Sequence, residues 1–457
     1  MQATKDTEAK AAETPSNESR MKKFYGPGGF AENISVNAVA QLVNPVFAIA
    51  LGVDPVLVGW AMAIPRLLDA FTDPLMGSIS DNWKGRFGRR RPFIAFGALF
   101  SGLCVAGIWW TPEAASTDFQ FYWLLSALLV STVGTTSFAV PYVALGMETA
   151  SSKHERTAWM AWRSFFHKLS GVGVQWMYYL VTLSIFTGTL MGAKVVGAMV
   201  GLIIVVTGLL PALFIKEKDH PAQTVERVPL MKSWSLTLRD RNFLVLAIAT
   251  VLIFSSILLV DTLGFFLMVY NVFGGDEAKM GFFKGIGGTT FHVVGILCIP
   301  LMAAFAKRIG KRRAFEFCTA SIVVGGIVKL FVYVPNADWW VIVPNFFLAP
   351  GLVAVIVLAP SLMADVAAYD EEKNGTSRQG MYAASLAWVT KLALSLTSVG
   401  SGYVLKFSGW VHESGIDQAP GTFDKMRWVF SMGTIALAIA ASLVLRLYNL
   451  EEKEENL

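Results

Sequence analysis

Charge is what this chain has least of. Of its 457 residues only 16% are Asp, Glu, Lys or Arg, against about 25% in ordinary soluble domains. A soluble chain of this length would form several domains and need more polar surface than that. Cysteine is scarce too. Cys104, Cys298 and Cys318 sit singly in apolar runs, without metal or redox spacing, and read as small buried hydrophobes. No nucleophile–base pair or metal-ligand cluster stands out, which argues against an enzyme. The polar, Ala/Glu/Ser/Thr-rich start lacks the apolar run of a secretory signal, and residues 1–24 read as a disordered cytoplasmic tail.

Apolar residues are what the chain has in excess, at 54% with 32 Phe and 14 Trp. A helix crossing a bilayer needs about 20 mostly apolar residues. Twelve such stretches can be drawn, at 30–51, 55–80, 92–110, 119–147, 162–186, 194–215, 242–270, 282–305, 314–334, 339–364, 380–407 and 428–447. The expected fold is an all-α polytopic membrane protein of twelve transmembrane helices in two six-helix bundles, 25–215 and 242–447. A polar central loop, 216–241, separates them, and 448–457 forms a cytoplasmic tail.

Basic residues set the orientation. Lys84, Arg86, Arg89, Arg90 and Arg91 lie in one loop, and Lys307, Arg308, Lys311, Arg312 and Arg313 in another, whereas the first and third loops have no Lys or Arg. The positive-inside rule places both termini in the cytoplasm. The net charge of +5 is therefore a topology signal, and no nucleic-acid partner is expected. Pro74-Leu-Met76 followed by Gly88-Arg-Arg-Arg91 recurs as Pro300-Leu-Met302 followed by Gly310-Lys-Arg-Arg313. Such a repeat at the same place in each half points to a transporter built from two parallel copies, with its site at the midplane.

Ionisable groups inside a span are costly, at about 2.5–3.5 kcal/mol each on the insertion scale, and mark function. Arg66, Asp69 and Asp73 are spaced i, i+3, i+7 on one helical face. An internal Arg66–Asp69 ion pair would leave Asp73 unexplained. By the repeat, Asp73 corresponds to Ile299, so the fold does not demand an acid there. Two close carboxylates with hydroxyl neighbours suit Na⁺ or a proton. In the first span Glu32, Asn33, Asn37, Gln41 and Asn44 form a stripe, read either as helix–helix glue or as a water-filled, sugar-facing wall. Arg163, His167 and Lys168 open the fifth span, with Arg163 and Lys168 read as snorkelling anchors or site residues. Lys391 lies too deep to snorkel and would partner a carboxylate of the opposite half. Asp261 and His292 stand alone and read as satisfied polar residues.

Several runs together resemble the glycoside–pentoside–hexuronide:cation symporters of the major facilitator superfamily. They are Tyr25–Asn33, Arg66–Gly77 with Asp81 and Gly88–Phe93, Pro141–Gly146 with Glu148, Glu155-Arg156-Thr157, Arg163, Asp365 to Gly380, and Lys391. The resemblance implies alternating-access uptake of a sugar, glycoside or hexuronide by a monomer in the bacterial inner membrane, with co-transported Na⁺ or H⁺ and no cofactor. It assigns cation binding to Asp69, Asp73, Thr72 (an Asn in the family pattern) and Thr136. It matches Asn33 and Arg163 to sugar-site residues and Lys391 to a lysine near the cation site; the polar stripe and the charged face of the second span add Asn37, Gln41 and Arg66 to the expected substrate-binding set. Asp81, Gly88, Arg89, Arg90, Arg91, Glu155, Arg156, Asp365 and Arg378 fall to the cytoplasmic gate. A fourth-span acid of the pattern is Ala139 here, and two aromatic positions are Val143 and Ile356, so sugar identity and coupling stoichiometry do not carry over. With basic residues kept and acids lost, an anionic sugar is one option. A lipid symporter of the same fold and a non-transporting sugar sensor are the alternatives.

Overall fold

The computed structural model describes residues 2–150, 152–217, 240–259, 261–374 and 379–450. Its described residues are helical with irregular connections and no strands. In chain order the helices are α1 (Gln2–Val43), α2 (Pro55–Asn82), α3 (Arg91–Gly107), α4 (Thr117–Thr149), α5 (Lys153–Val174) and α6 (Thr189–Phe214). Then follow α7 (Arg241–Leu258), α8 (Glu277–Ile309), α9 (Lys311–Val332), α10 (Val343–Val353), α11 (Gln379–Phe407) and α12 (Thr422–Leu445).

Among the described residues nine helices are long and apolar enough to cross a membrane. The helices α2 and α5 are not among them, because Arg66, Asp69 and Asp73 in the one and Arg163, His167 and Lys168 in the other lower their apolarity. The apolar stretch of α3 is shorter than the rest.

Helix starts follow local chemistry. Ser116, Ser152, Asp240 and Asp276 cap α4, α5, α7 and α8, each accepting a backbone N–H from two or three residues on. Four spans depart from simple rods. The fifth breaks after α5 and resumes as a short helix, Met177–Val181. The helix α1 ends in a π-helical turn, Asn44–Ala50; the seventh span restarts at Asp261–Phe266 and ends in a π turn, Leu267–Val272; and α10 continues through a π turn, Ala354–Leu358, into Ala359–Asn374. The loop expected between the eighth and ninth spans shrinks to Gly310, whose φ of +89° turns the chain between α8 and α9. At the N-terminus α1 extends back to Gln2 where a disordered tail was expected; Ala, Glu and Lys, abundant there, are strong helix formers.

Packing divides the chain into two compact units, 1–51 with 68–224, and 52–67 with 225–457. In the first, α1 packs on α5 and α6, and α3 on α4 and α6. The α3–α6 crossing is close because it is made by glycines: a Cβ on Gly102 would lie 2.6 Å from the carbonyl oxygen of Gly201. Tyr25 stacks on Tyr142 at 4.6 Å, and the Tyr142 hydroxyl donates to the Tyr25 carbonyl at 2.8 Å. In the second unit α9 packs on α12 and α10, and α7 on α12 and α11, around Phe243, Phe315, Cys318 and Ile322. The start of α2 belongs to this second unit, where a Cβ on Gly402 would meet the Pro55 carbonyl oxygen at 2.6 Å.

Candidate functional site

The first unit brings the expected cation ligands together. From α4, the Thr136 hydroxyl, 5% exposed, lies 3.3 Å from Asp69 Oδ1 and 3.2 Å from Asp73 Oδ1. One hydroxyl proton thus faces two carboxylate oxygens from successive turns of α2. Next to them in sequence, the Thr72 hydroxyl is buried with no hydrogen-bond partner among the described residues. Two carboxylates and two hydroxyls are hard oxygen donors, a set that suits a monovalent cation or a proton. Among the described residues no cluster of three His, Cys, Asp or Glu exists that could hold a metal ion.

The polar stripe of α1 is partnered by α5 along its length. Arg163 donates to both oxygens of Glu32, at 2.8 and 2.5 Å. One turn on along α5, Asn33 Nδ2 lies 3.2 Å from the His167 ring, while Asn33 Oδ1 is buried without a partner among the described residues. Further along, Gln41 donates to Gln175 at 3.1 Å. Asn37 is exposed and donates to the Asn33 carbonyl. Arg163 is thus half of a bidentate ion pair with Glu32. His167 stands one turn after Arg163, as its place among the charges opening the fifth span implied; Gln175 had not been singled out, although it lies on the same face.

Arg66 and Lys391 lie in the second unit. Arg66 donates to Ser398 of α11 at 3.2 Å, and Lys391 lies about two turns before Ser398 on that helix.

The loop motifs form a dense ionic cluster. Arg90, 5% exposed, donates to Glu148 at 2.9 and 2.5 Å and to Asp81 at 2.6 Å, and Arg89 donates to Glu148 at 2.9 Å. Burial opposes the Arg90 charge, but Glu148 and Asp81 outweigh it and hold the guanidinium above its ordinary range. Glu217 accepts the backbone N–H groups of Arg89, Arg90 and Arg91 at 2.6–2.8 Å, and no sequence motif had marked it. Arg91 donates to the Ala212 carbonyl at the end of α6 at 2.5 Å.

In the second unit Lys311 does the work of Arg90, donating to Asp365 at 2.7 Å, and Arg312 that of Arg91, donating to the Arg446 carbonyl at 3.3 Å after α12. The sequence repeat therefore has a physical counterpart, shifted by one residue. Glu155 pairs with Lys22 at 3.6 Å, and Arg156 is exposed. Arg378 lies outside the described residues.

Asp261 is exposed at the restart of the seventh span. Lys329 donates to the Thr434 hydroxyl at 3.1 Å and lies 3.9 Å from the centre of the Phe430 ring, and Lys284 lies 4.6 Å from the centre of the Phe265 ring. Neither lysine had been singled out, although each interrupts an apolar run.

Compared with known proteins, residues 24–452 match the MFS/sugar transport protein family. The chain belongs to that family. Relatives of low identity match it over most of their length and its own. The chain is 25% identical to the inner membrane symporter YicJ of Escherichia coli, over 84% of this chain and 82% of that protein. It is 22% identical to the isoprimeverose transporter of Lactiplantibacillus pentosus, over 85% and 80%. It is also 22% identical to the sodium-dependent lysophosphatidylcholine symporter 1 of Gallus gallus, over 95% and 87%. Among solved structures it resembles the nucleoside transporter NupG with a TM-score of 0.70, at 13% identity, over 93% of this chain and 99% of that one. The fold is the major facilitator fold of this family.

Proposed function

We propose that the protein is a cation-coupled sugar symporter, a transporter and not an enzyme, working as a monomer by alternating access in a bacterial inner membrane with both termini cytoplasmic. The observation that carries the reading is the Thr136 hydroxyl shared between Asp69 and Asp73. A cation there relieves the repulsion between the two carboxylates, and Thr136 and Thr72 complete its oxygen shell. Neutralised in this way, α2 favours the substrate-competent state, and by linkage substrate binding favours cation binding to the same degree. Asn33, with its buried unpaired oxygen, and the neighbouring His167 supply hydrogen bonds to sugar hydroxyls.

The lysophosphatidylcholine symporter among the relatives supports a second reading, a lipid-like substrate. The Asn33–His167 and Gln41–Gln175 pairs favour a hydroxyl-rich ligand instead. Uptake into proteoliposomes tests both, with a panel of glycosides, uronides and a lysolipid and with Na⁺ and pH gradients imposed separately. Accumulation of a sugar driven by one of the gradients is expected. Gradient-driven uptake of the lysolipid alone, or uptake indifferent to both gradients, would overturn the reading.

A further inference from the structure

The basic residues of the loop between α2 and α3 divide by partner. Arg89 and Arg90 pair with Glu148, and Arg91 donates to the Ala212 and Leu213 carbonyls at the end of α6. Lys84 and Arg86 are exposed and carry no ion pair among the described residues. The Gly88 N–H donates to the Gly85 carbonyl at 3.1 Å, closing a tight turn with Arg86 and Phe87 at its tip. The Arg86 guanidinium lies 4.7 Å from the centre of the Phe87 ring, which is 63% exposed. Trp83 is exposed as well. Its ring meets Phe93 edge-on at 5.6 Å, and a Cβ on Gly85 would collide with its indole nitrogen.

Two apolar stripes lead to this tip. On α2, Phe71, Leu75 and Ile79 recur every four residues, all exposed, and Trp83 is next in the series. Asp69 and Asp73 face α4 instead, through Thr136. On α3, Phe96, Leu99 and Leu103 are exposed at intervals of four and three, while Gly97 and Ala98 turn inward. In a bilayer, exposed apolar stripes lie against acyl chains, Trp sits at headgroup level, and Lys and Arg reach just beyond it. The order of apolar stripe, Trp83, then Lys84 and Arg86 therefore puts two cations where lipid phosphates lie. In the second unit Lys307 and Arg308 end α8 and are exposed, but no exposed aromatic lies within five residues of them. Charge that only sets orientation needs no aromatic beside it.

We propose that residues 83–87 bind the headgroup of an anionic phospholipid. Lys84 and Arg86 contact the phosphate, and Trp83 and Phe87 sit among the first acyl carbons. The turn runs directly into Arg89, Arg90 and Arg91, whose backbone N–H groups Glu217 holds, so a bound headgroup steadies the Arg90 cluster from outside. The proposal is independent of what the protein transports.

The test is thermal stability of the purified full chain in a neutral detergent, beside a count of the lipid it retains. The probes are dioleoylphosphatidylglycerol, dioleoylphosphatidylcholine and inorganic phosphate. Each Lys or Arg at the surface is worth about fivefold in affinity for anionic lipid, so phosphatidylglycerol should act about tenfold or more below phosphatidylcholine in the wild type. K84Q with R86Q should remove most of that preference, and K84R with R86K should keep it. K307Q with R308Q takes the same charge from the other loop and should leave the preference intact. F87A should weaken retention of both lipids alike. A wild type without preference, or a preference that survives K84Q with R86Q, overturns the proposal. So does an equal loss in K307Q with R308Q, or retention unaltered by F87A. Inorganic phosphate that stabilises at the same concentration as the lipid also overturns it, because the ligand is then a free anion.

Discussion

Gly88 makes room for Glu217. A Cβ at position 88 would lie 2.6 Å from Glu217 Oε1, and the φ of Gly88 is +102°. The bare backbone lets the carboxylate sit against the entrance of α3, where three successive N–H groups point at it. A carboxylate there also meets the positive end of the helix dipole. Gly88→Ala combines steric overlap with backbone strain of about 1–3 kcal/mol. Melting in detergent should show a clear loss of stability, and Glu217→Ala should lose a similar amount. If Gly88→Ala melts like the wild type, the carboxylate does not hold the loop.

The Arg90 cluster makes a prediction about coupling. Removing Arg90 leaves Glu148 and Asp81 facing each other without their shared cation, while removing Glu148 leaves a buried guanidinium. Each single change should cost about 3–5 kcal/mol. Changing both should cost less than the sum. A double-mutant cycle on thermal stability measures this; additive losses would mean that the pair acts independently.

Asp73→Asn should abolish cation-driven accumulation while the protein still inserts and melts cooperatively. Thr136→Ala is milder, because it removes one neutral donor worth about 0.5–1.5 kcal/mol. Its half-saturating cation concentration should rise by about threefold to tenfold, read from initial uptake rates against Na⁺ and against pH. Unchanged active uptake in Asp73→Asn would remove the cation site from α2.

Glu32→Ala strands the partly buried Arg163 and should lower stability by about 3 kcal/mol. The double change Glu32→Ala with Arg163→Ala should recover much of that loss. If Arg163 instead serves only the substrate, Glu32→Ala would leave stability intact and alter substrate affinity alone. Melting curves beside uptake KM values separate the two outcomes.

His167→Asn and Gln175→Leu test the polar face of α5. Both keep the size of the side chain roughly constant and change what it offers a hydroxyl. A shift in the ranking of sugars, with the cation dependence unaltered, is expected from competition against a labelled substrate.

Much of the fold was legible along the chain. The apolar runs alone mark α3, α4, α6 and α8 to within about five residues at each end. Asp69 and Asp73 could be found because a charge inside an apolar run is conspicuous. Lys284 and Lys329 also interrupt apolar runs, but what they touch comes from other helices: the Phe265 ring for the one, Thr434 and Phe430 for the other. Glu217 gave no signal, because a glutamate at the start of a polar loop is ordinary until three N–H groups converge on it.

Composition and periodicity alone were enough to establish a polytopic helical protein with a paired-carboxylate face on α2, because both follow from residues near one another in sequence. Which charges are spent and which are spare was decided only by tertiary packing. Arg163 finds Glu32 across 131 residues, and Lys329 finds Thr434 across 105. In a low-dielectric interior a charge is defined by its neighbours, and those neighbours come from other helices.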